Sequence, residues 1–235
     1  MARYRLRGLL GSLGAAAGVC FVLLGVQLSL SGSGRYAFLA WNLVLAAIPL
    51  MLALMIEAAS ALGARAGVLA LTVLWVVFLP NAPYLVTDPV FHLGYDAALP
   101  LWYDVLLFVV FAATGLAFGL SSVHRLHRLA RRRLGAATVW VIIATVLAAS
   151  SFGIFLGRFE QLNSWDILLR PFGVVSELVS QVSPLPAAAF TAGFTLFLLA
   201  AYTVFDRLMG GRSDVDAGSL AEPAGHLRRC GRAPV

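Results

Sequence analysis

A chain of 235 residues in which 60% are hydrophobic and 12% charged lacks the polar skin that a water-soluble domain of this size requires. Its net charge of +6 rests on 17 basic residues, all arginine. They cluster at the ends of apolar runs rather than on one polar face, so the charge does not indicate nucleic acid and no nucleic-acid partner is expected. No nucleophile motif, phosphate loop, zinc-hydrolase helix or nucleotide fingerprint is present, and no reaction class is legible.

Six apolar stretches follow in chain order, at residues 8–28, 36–59, 66–86, 101–120, 136–157 and 187–205. Each approaches the roughly 20 residues that a helix needs to cross about 30 Å of hydrocarbon. Helices satisfy their own backbone in lipid, and the alternation of a membrane barrel is missing. The first stretch begins with the basic residues of a signal peptide, but its apolar run exceeds the usual length and reads better as an uncleaved helix, with cleavage near Ser31 the alternative. Cys20 lies within the first apolar stretch and Cys230 in the tail at the opposite end, so neither a disulfide nor a thiolate metal site is expected.

The arginines alternate across these stretches. Fourteen of the 17 fall before the first stretch, between the second and third, between the fourth and fifth, or after the sixth; Arg35, Arg158 and Arg170 fall on the other side. Cytoplasmic loops retain arginine, so both termini are expected to be cytoplasmic, in a bacterial cytoplasmic membrane crossed six times. The expected fold is all-α: a polytopic membrane protein, a six-transmembrane-helix bundle with structured extracytoplasmic loops and an interfacial helix. Residues 1–206 form the membrane domain, and the Gly-, Ser- and Arg-rich residues 207–235 form a disordered cytoplasmic tail. Within the basic connection His124-Arg125-Leu126-His127-Arg128-Leu129, both histidines are expected to be solvated. Glu57 is expected to snorkel or to pair with Arg65.

Two outer connections hold most of the remaining ionisable chemistry: Asp88, His92, Asp96 and Asp104 in one, Arg158, Glu160, Asp166, Arg170 and Glu177 in the other. In the second, Leu168, Phe172, Val175, Val179 and Val182 recur at helical spacing, which predicts the interfacial helix. In the first, Pro80 and Pro83 remove two backbone donors, predicting a helix that ends there with the Val76 and Leu79 carbonyls freed and Asn81 available to satisfy them. Such a break lines a site in some transporters; a plain proline kink is the alternative.

Trp75-Val76-Val77-Phe78-Leu79-Pro80-Asn81-Ala82-Pro83-Tyr84, then Thr87-Asp88, His92-Leu93 and Trp102-Tyr103-Asp104, carry a resemblance continued by Ser151-Phe152-Gly153-Ile154, Gly157-Arg158-Phe159 and Asn163-Ser164-Trp165-Asp166. The chain resembles a bacterial family of integral membrane proteins catalogued as domain of unknown function 1361, over residues 36–205. The resemblance implies a multi-span membrane protein and no established activity. Pro89 stands where an apolar residue is more usual, and Gln161 where a second arginine is common. The second departure weakens any two-arginine anion clamp.

The residue types point to several chemistries. Asp88, His92 and Asp104 offer oxygen and imidazole donors for a divalent metal ion, with Asp166 as a further ligand. Against this, Thr87-Asp88-Pro89 reads as a helix N-cap with proline at the first helical position, and Asp104 as a carboxylate favoured by the dipole of the fourth span. Arg158 suits an internal ion pair with Asp88, Asp104 or Asp166, a helix C-terminus, or a lipid phosphate. Asn163 and Asp166 have capping-box spacing. Trp41, Trp102 and Trp165, with Tyr84 and Tyr103, read as an aromatic belt. Gly115 with Gly119, and Gly153 with Gly157, predict close helix packing. The leading expectation is a module whose candidate ligand-binding residues, Asn81, Tyr84, Asp88, His92, Asp104, Arg158, Asn163 and Asp166, bind an ion, small molecule or lipid headgroup. The cluster Asp88, His92, Asp104, Arg158 and Asp166 is expected to share one cavity. A membrane-embedded metal-dependent enzyme acting on a lipid-linked substrate and an accessory subunit with a membrane-protein partner are the alternatives.

Overall fold

The computed structural model describes residues 2–93, 99–159 and 184–219, and among them the regular elements are all helical. In chain order they are α1 (Ala2–Ser31), α2 (Phe38–Ala61), α3 (Arg65–Phe78), α4 (Asn81–Tyr84), a 3-10 turn (Leu85–Thr87), α5 (Asp88–His92), α6 (Leu101–Ala130), α7 (Ala136–Phe159) and α8 (Pro184–Ser219). Among the described residues six segments are long and apolar enough to cross a membrane: Arg7–Ser31, Phe38–Ala61, Arg65–His92, Leu101–Ala130, Ala136–Phe159 and Leu185–Met209. The six-span, all-α expectation holds. The predicted interfacial helix, with Glu160, Asn163, Asp166, Arg170 and Glu177, lies outside the described residues, as does Asp96.

Helices α2 and α6 form the centre. One apolar cluster joins α1, α2, α4 and α6 through Cys20, Leu24, Leu43, Ala82 and Phe108. A second joins α2, α3, α6, α7 and α8 through Ile56, Trp75, Val123, Ile143 and Leu198. Lipid tails are as apolar as these side chains, so tight packing and polar contacts, rather than escape from water, must hold the helices together.

The region around Pro80 shows how. The chain does not stop at the prolines; it passes through them helically, with Leu79, Pro80, Leu85 and Asp88 all in right-handed α conformation. One tighter turn carries the chain across, the Ala82 N–H donating to the Leu79 carbonyl at 3.2 Å, and the ordinary α-helical bond resumes where the Tyr84 N–H donates to the Pro80 carbonyl at 3.1 Å. The Asn81 amide donates to the Phe78 carbonyl at 3.0 Å. The expected broken end is therefore a tightened, continuous helix, and Asn81 serves the Phe78 carbonyl rather than that of Val76 or Leu79.

This segment sits in a bed of glycine. A Cβ on Gly115 would lie 2.5 Å from Leu85 Cδ1 and 2.8 Å from the Ala82 carbonyl oxygen. One on Gly119 would lie 2.9 Å from Ala82 Cβ, and one on Gly153 2.8 Å from Pro80 Cγ. The glycines predicted to bring whole spans together thus admit one short turn between α6 and α7.

At the other end, two expectations are corrected. Helix α6 runs on to Ala130, so His124 and His127 lie on a helix rather than in a solvated connection. His127 is buried, with Nδ1 2.5 Å from the Tyr202 hydroxyl of α8 and its ring edge-on to Trp140 of α7. His124 Nδ1 lies 2.9 Å from Asp206 Oδ1. Aromatic and hydrogen-bonding partners from two neighbouring helices make burial of these imidazoles tolerable. Glu57 pairs with Arg125 and not with Arg65, because α6 lies against α2 at that depth. Helix α8 is described as far as Ser219, within the stretch whose composition predicts a tail.

Candidate functional site

Arg158 occupies the last turn of α7, where the helix dipole favours a cation by about 0.3–1 kcal/mol. That contribution is minor beside its contacts. Nη2 donates to Asp88 Oδ1 at 2.5 Å and to Thr87 Oγ1 at 2.7 Å, and Nε donates to the same hydroxyl at 3.1 Å. Asp88 Oδ2 accepts from Asn42 Nδ2 of α2 at 3.3 Å. The guanidinium carbon stands 4.1 Å from the Tyr84 ring centroid and 4.9 Å from that of Phe91. The Tyr84 hydroxyl donates to the Gly157 carbonyl at 3.5 Å. The two charged side chains are 6% and 1% exposed, so the pair is withdrawn from its surroundings. In such a place removing one partner strands the other, at a cost of about 3–5 kcal/mol.

The tight turn at residues 80–87 builds this arrangement. It keeps Tyr84, Thr87, Asp88 and Phe91 on one helical face, three or four residues apart, and turns that face towards Arg158. The capping role expected of Thr87-Asp88 is not observed: position 87 makes no side-chain cap bond. The Thr87 hydroxyl instead donates to the Tyr84 carbonyl at 2.7 Å while accepting from Arg158. Proline does stand near the start of α5, as expected.

Asp104 belongs to a different group. It lies in the first turn of α6, as expected, and is 1% exposed. Its Oδ2 accepts from the Tyr36 hydroxyl at 2.9 Å, and the same hydroxyl lies 3.3 Å from the His92 carbonyl. His92 Nδ1 faces the Asp88 carbonyl at 3.2 Å; a carbonyl only accepts, so this nitrogen is the donor there. The ring of His92 lies against Phe38, with centroids 4.6 Å apart.

Among the described residues the expected cluster makes two sets of contacts. Asp88, Arg158 and Tyr84 meet; Asp104 contacts Tyr36; Asn81 donates to the Phe78 carbonyl; Asn163 and Asp166 lie outside the described residues. Among the described residues no three His, Cys, Asp or Glu side chains could together hold a metal ion, so Asp88, His92 and Asp104 are not assembled as a metal triad. Asp88 instead faces Arg158 and Asn42. Trp41 and Trp102 are exposed, in keeping with an aromatic belt, whereas Tyr84 covers Arg158 and the Tyr103 hydroxyl donates to the Leu23 carbonyl at 2.7 Å. Sequence reasoning missed Asn42 and Tyr36. The signal available was a polar side chain inside, or just beside, an apolar run.

Six membrane-length helices around a buried ion pair define an all-α, multi-span integral membrane protein. Residues 41–201 match the family described as "Protein of unknown function (DUF1361)", and the chain belongs to that family. No curated protein and no solved structure matches it.

Proposed function

We propose that this protein is a non-catalytic membrane module that binds a small ligand or lipid headgroup at the Asp88–Arg158 pair. One observation carries the reading: an arginine and an aspartate, 6% and 1% exposed, lie between spans of a bundle surrounded by lipid. Charges in that setting are expensive, and well-packed apolar residues would serve stability as well or better. The pair is neutral as a unit. A ligand that separates the partners must therefore answer both signs or leave one charge buried and unmatched. This favours a zwitterion, with an anionic group for the guanidinium fork and a cationic group for Asp88. Glu160, Asn163, Asp166 and Arg170 follow Arg158 closely in the chain and are further candidates for ligand contact. The arginine bias supports an orientation with this end outside a bacterial cytoplasmic membrane and both termini in the cytoplasm.

Native mass spectrometry tests the binding. Protein released from vesicles of phosphatidylethanolamine should retain lipid, and protein from purely anionic phosphatidylglycerol vesicles should retain less. A soluble arm with phosphoethanolamine separates headgroup from free zwitterion. Equal retention by wild type, Arg158→Gln and Asp88→Asn would sink the proposal. Orientation has its own test, a reporter fused after His92, which should be extracytoplasmic.

A second reading, an accessory subunit, draws on one feature of α1. Gly11, Gly14, Ala15, Gly18 and Gly25 are exposed, and a Cβ on any of these glycines would meet nothing within 4 Å. Close approach of another helix is cheap there. Gly14→Leu and Gly18→Leu should then abolish co-purification of the partner while leaving the monomer folded.

A further inference from the structure

A second buried polar group lies apart from the Asp88–Arg158 pair. Gln27 of α1 is 0% exposed, and neither its amide nitrogen nor its amide oxygen has a hydrogen-bond partner. Asp104 of α6 is 1% exposed, and its Oδ1 also lacks one. Among the described residues no arginine or histidine forms an ion pair with Asp104. Each stranded atom would ordinarily cost about 1–3 kcal/mol, and more for a charged group.

Helix register sets the two at a similar depth on neighbouring helices. Cys20 Sγ donates to Thr114 Oγ1 at 3.4 Å, and the Tyr103 hydroxyl reaches the Leu23 carbonyl, so α1 and α6 run antiparallel in contact. At 1.5 Å per residue, Gln27 stands about 10 Å along from Cys20 and Asp104 about 15 Å along from Thr114 in the same direction. The difference of about 5 Å lies within reach of a glutamine side chain. The Tyr36 hydroxyl, already on Asp104 Oδ2, closes a third side.

We infer that Asp104, Gln27 and Tyr36 form a buried site for one small monovalent cation of sodium size, carried with residual water. Asp104 Oδ1, the Gln27 carbonyl oxygen and the Tyr36 hydroxyl oxygen supply hard oxygen donors. One ion-bound water accepts from the Gln27 NH₂. A single carboxylate balances a single charge, whereas a divalent ion would call for more carboxylate oxygen. The site does not depend on ligand binding at Arg158.

Thermal unfolding of the full chain in detergent tests it, with sodium chloride exchanged for choline chloride at constant ionic strength. The wild-type Tm should rise by roughly 3–5 °C for each tenfold increase in sodium above the dissociation constant. Asp104→Asn and Gln27→Leu should lose that rise, while Arg158→Gln should keep it. Should Asp104→Asn fail to fold, Gln27→Leu and Tyr36→Phe make the same comparison. A wild-type Tm indifferent to sodium means that the group holds water alone and overturns the inference. So does a full sodium response in Gln27→Leu.

Discussion

The two ends of the bundle use similar residue types to different effect. At one end Arg158 and Asp88 are almost wholly enclosed, with Thr87, Asn42, Tyr84 and Phe91 occupying the space around them. At the other end Glu57 with Arg125 and His124 with Asp206 also pair across helices, but Glu57 and Asp206 are 32% and 29% exposed. An enclosed pair has no alternative partner when one member is lost, whereas a half-exposed one can turn to water or headgroups. Burial, not the identity of the charges, decides what each pair is worth.

The largest effect should come from the enclosed pair. Arg158→Ala or Asp88→Ala should destabilise the protein by about 3–5 kcal/mol, and the double replacement Arg158→Leu with Asp88→Leu should recover much of that loss. Unfolding in a mixed detergent series measures both. Equal losses in the single and double variants would show that the pair is not the coupled unit described here.

Next comes the glycine bed that brings Thr87 and Asp88 to Arg158. Gly115→Ala should cost about 1–3 kcal/mol, because the new methyl would meet the Ala82 carbonyl as well as the more adaptable Leu85. Gly193→Ala, at a helical glycine with nothing within 4 Å, should cost nothing or stabilise slightly. Parity between the two would remove the close-packing account.

Smaller effects are expected at the opposite end. Tyr202→Phe should lose about 0.5–1.5 kcal/mol, the ordinary worth of one hydrogen bond, with Trp140 still covering His127. Smallest should be the coupling between Glu57 and Arg125, about 0.2–1 kcal/mol in a double-mutant cycle, with none between Glu57 and Arg65. A larger coupling to Arg65 would restore the partner that chain proximity suggested.

Much of the candidate site was legible and its grouping was not. Asp88, Arg158 and Tyr84 stood out as ionisable or aromatic residues at the ends of apolar runs, and they do meet. Asp104 stood out equally, but its contact is Tyr36, sixty-eight residues away in the chain. Thr87 looked like a cap because the local pattern Thr-Asp-Pro is one; an arginine arriving from α7 claims its hydroxyl instead. The histidines of α6 looked solvated among five nearby arginines, and only the aromatic and hydrogen-bonding partners brought by α7 and α8 account for the burial of His127 and the partial burial of His124.

Composition and periodicity alone determined six membrane-length helices and the positions of most polar interruptions, because hydrocarbon imposes its length and backbone requirements on each segment separately. Which interruption faces which was decided by tertiary structure. Helices in lipid gain little from apolar contact with one another, so their register follows from glycine-sized gaps and buried polar partners distant in sequence. The prolines after Phe78 illustrate both: the sequence announces a disturbed helix, while Gly115, Gly119 and Gly153 settle that it continues and presents Asp88 to Arg158.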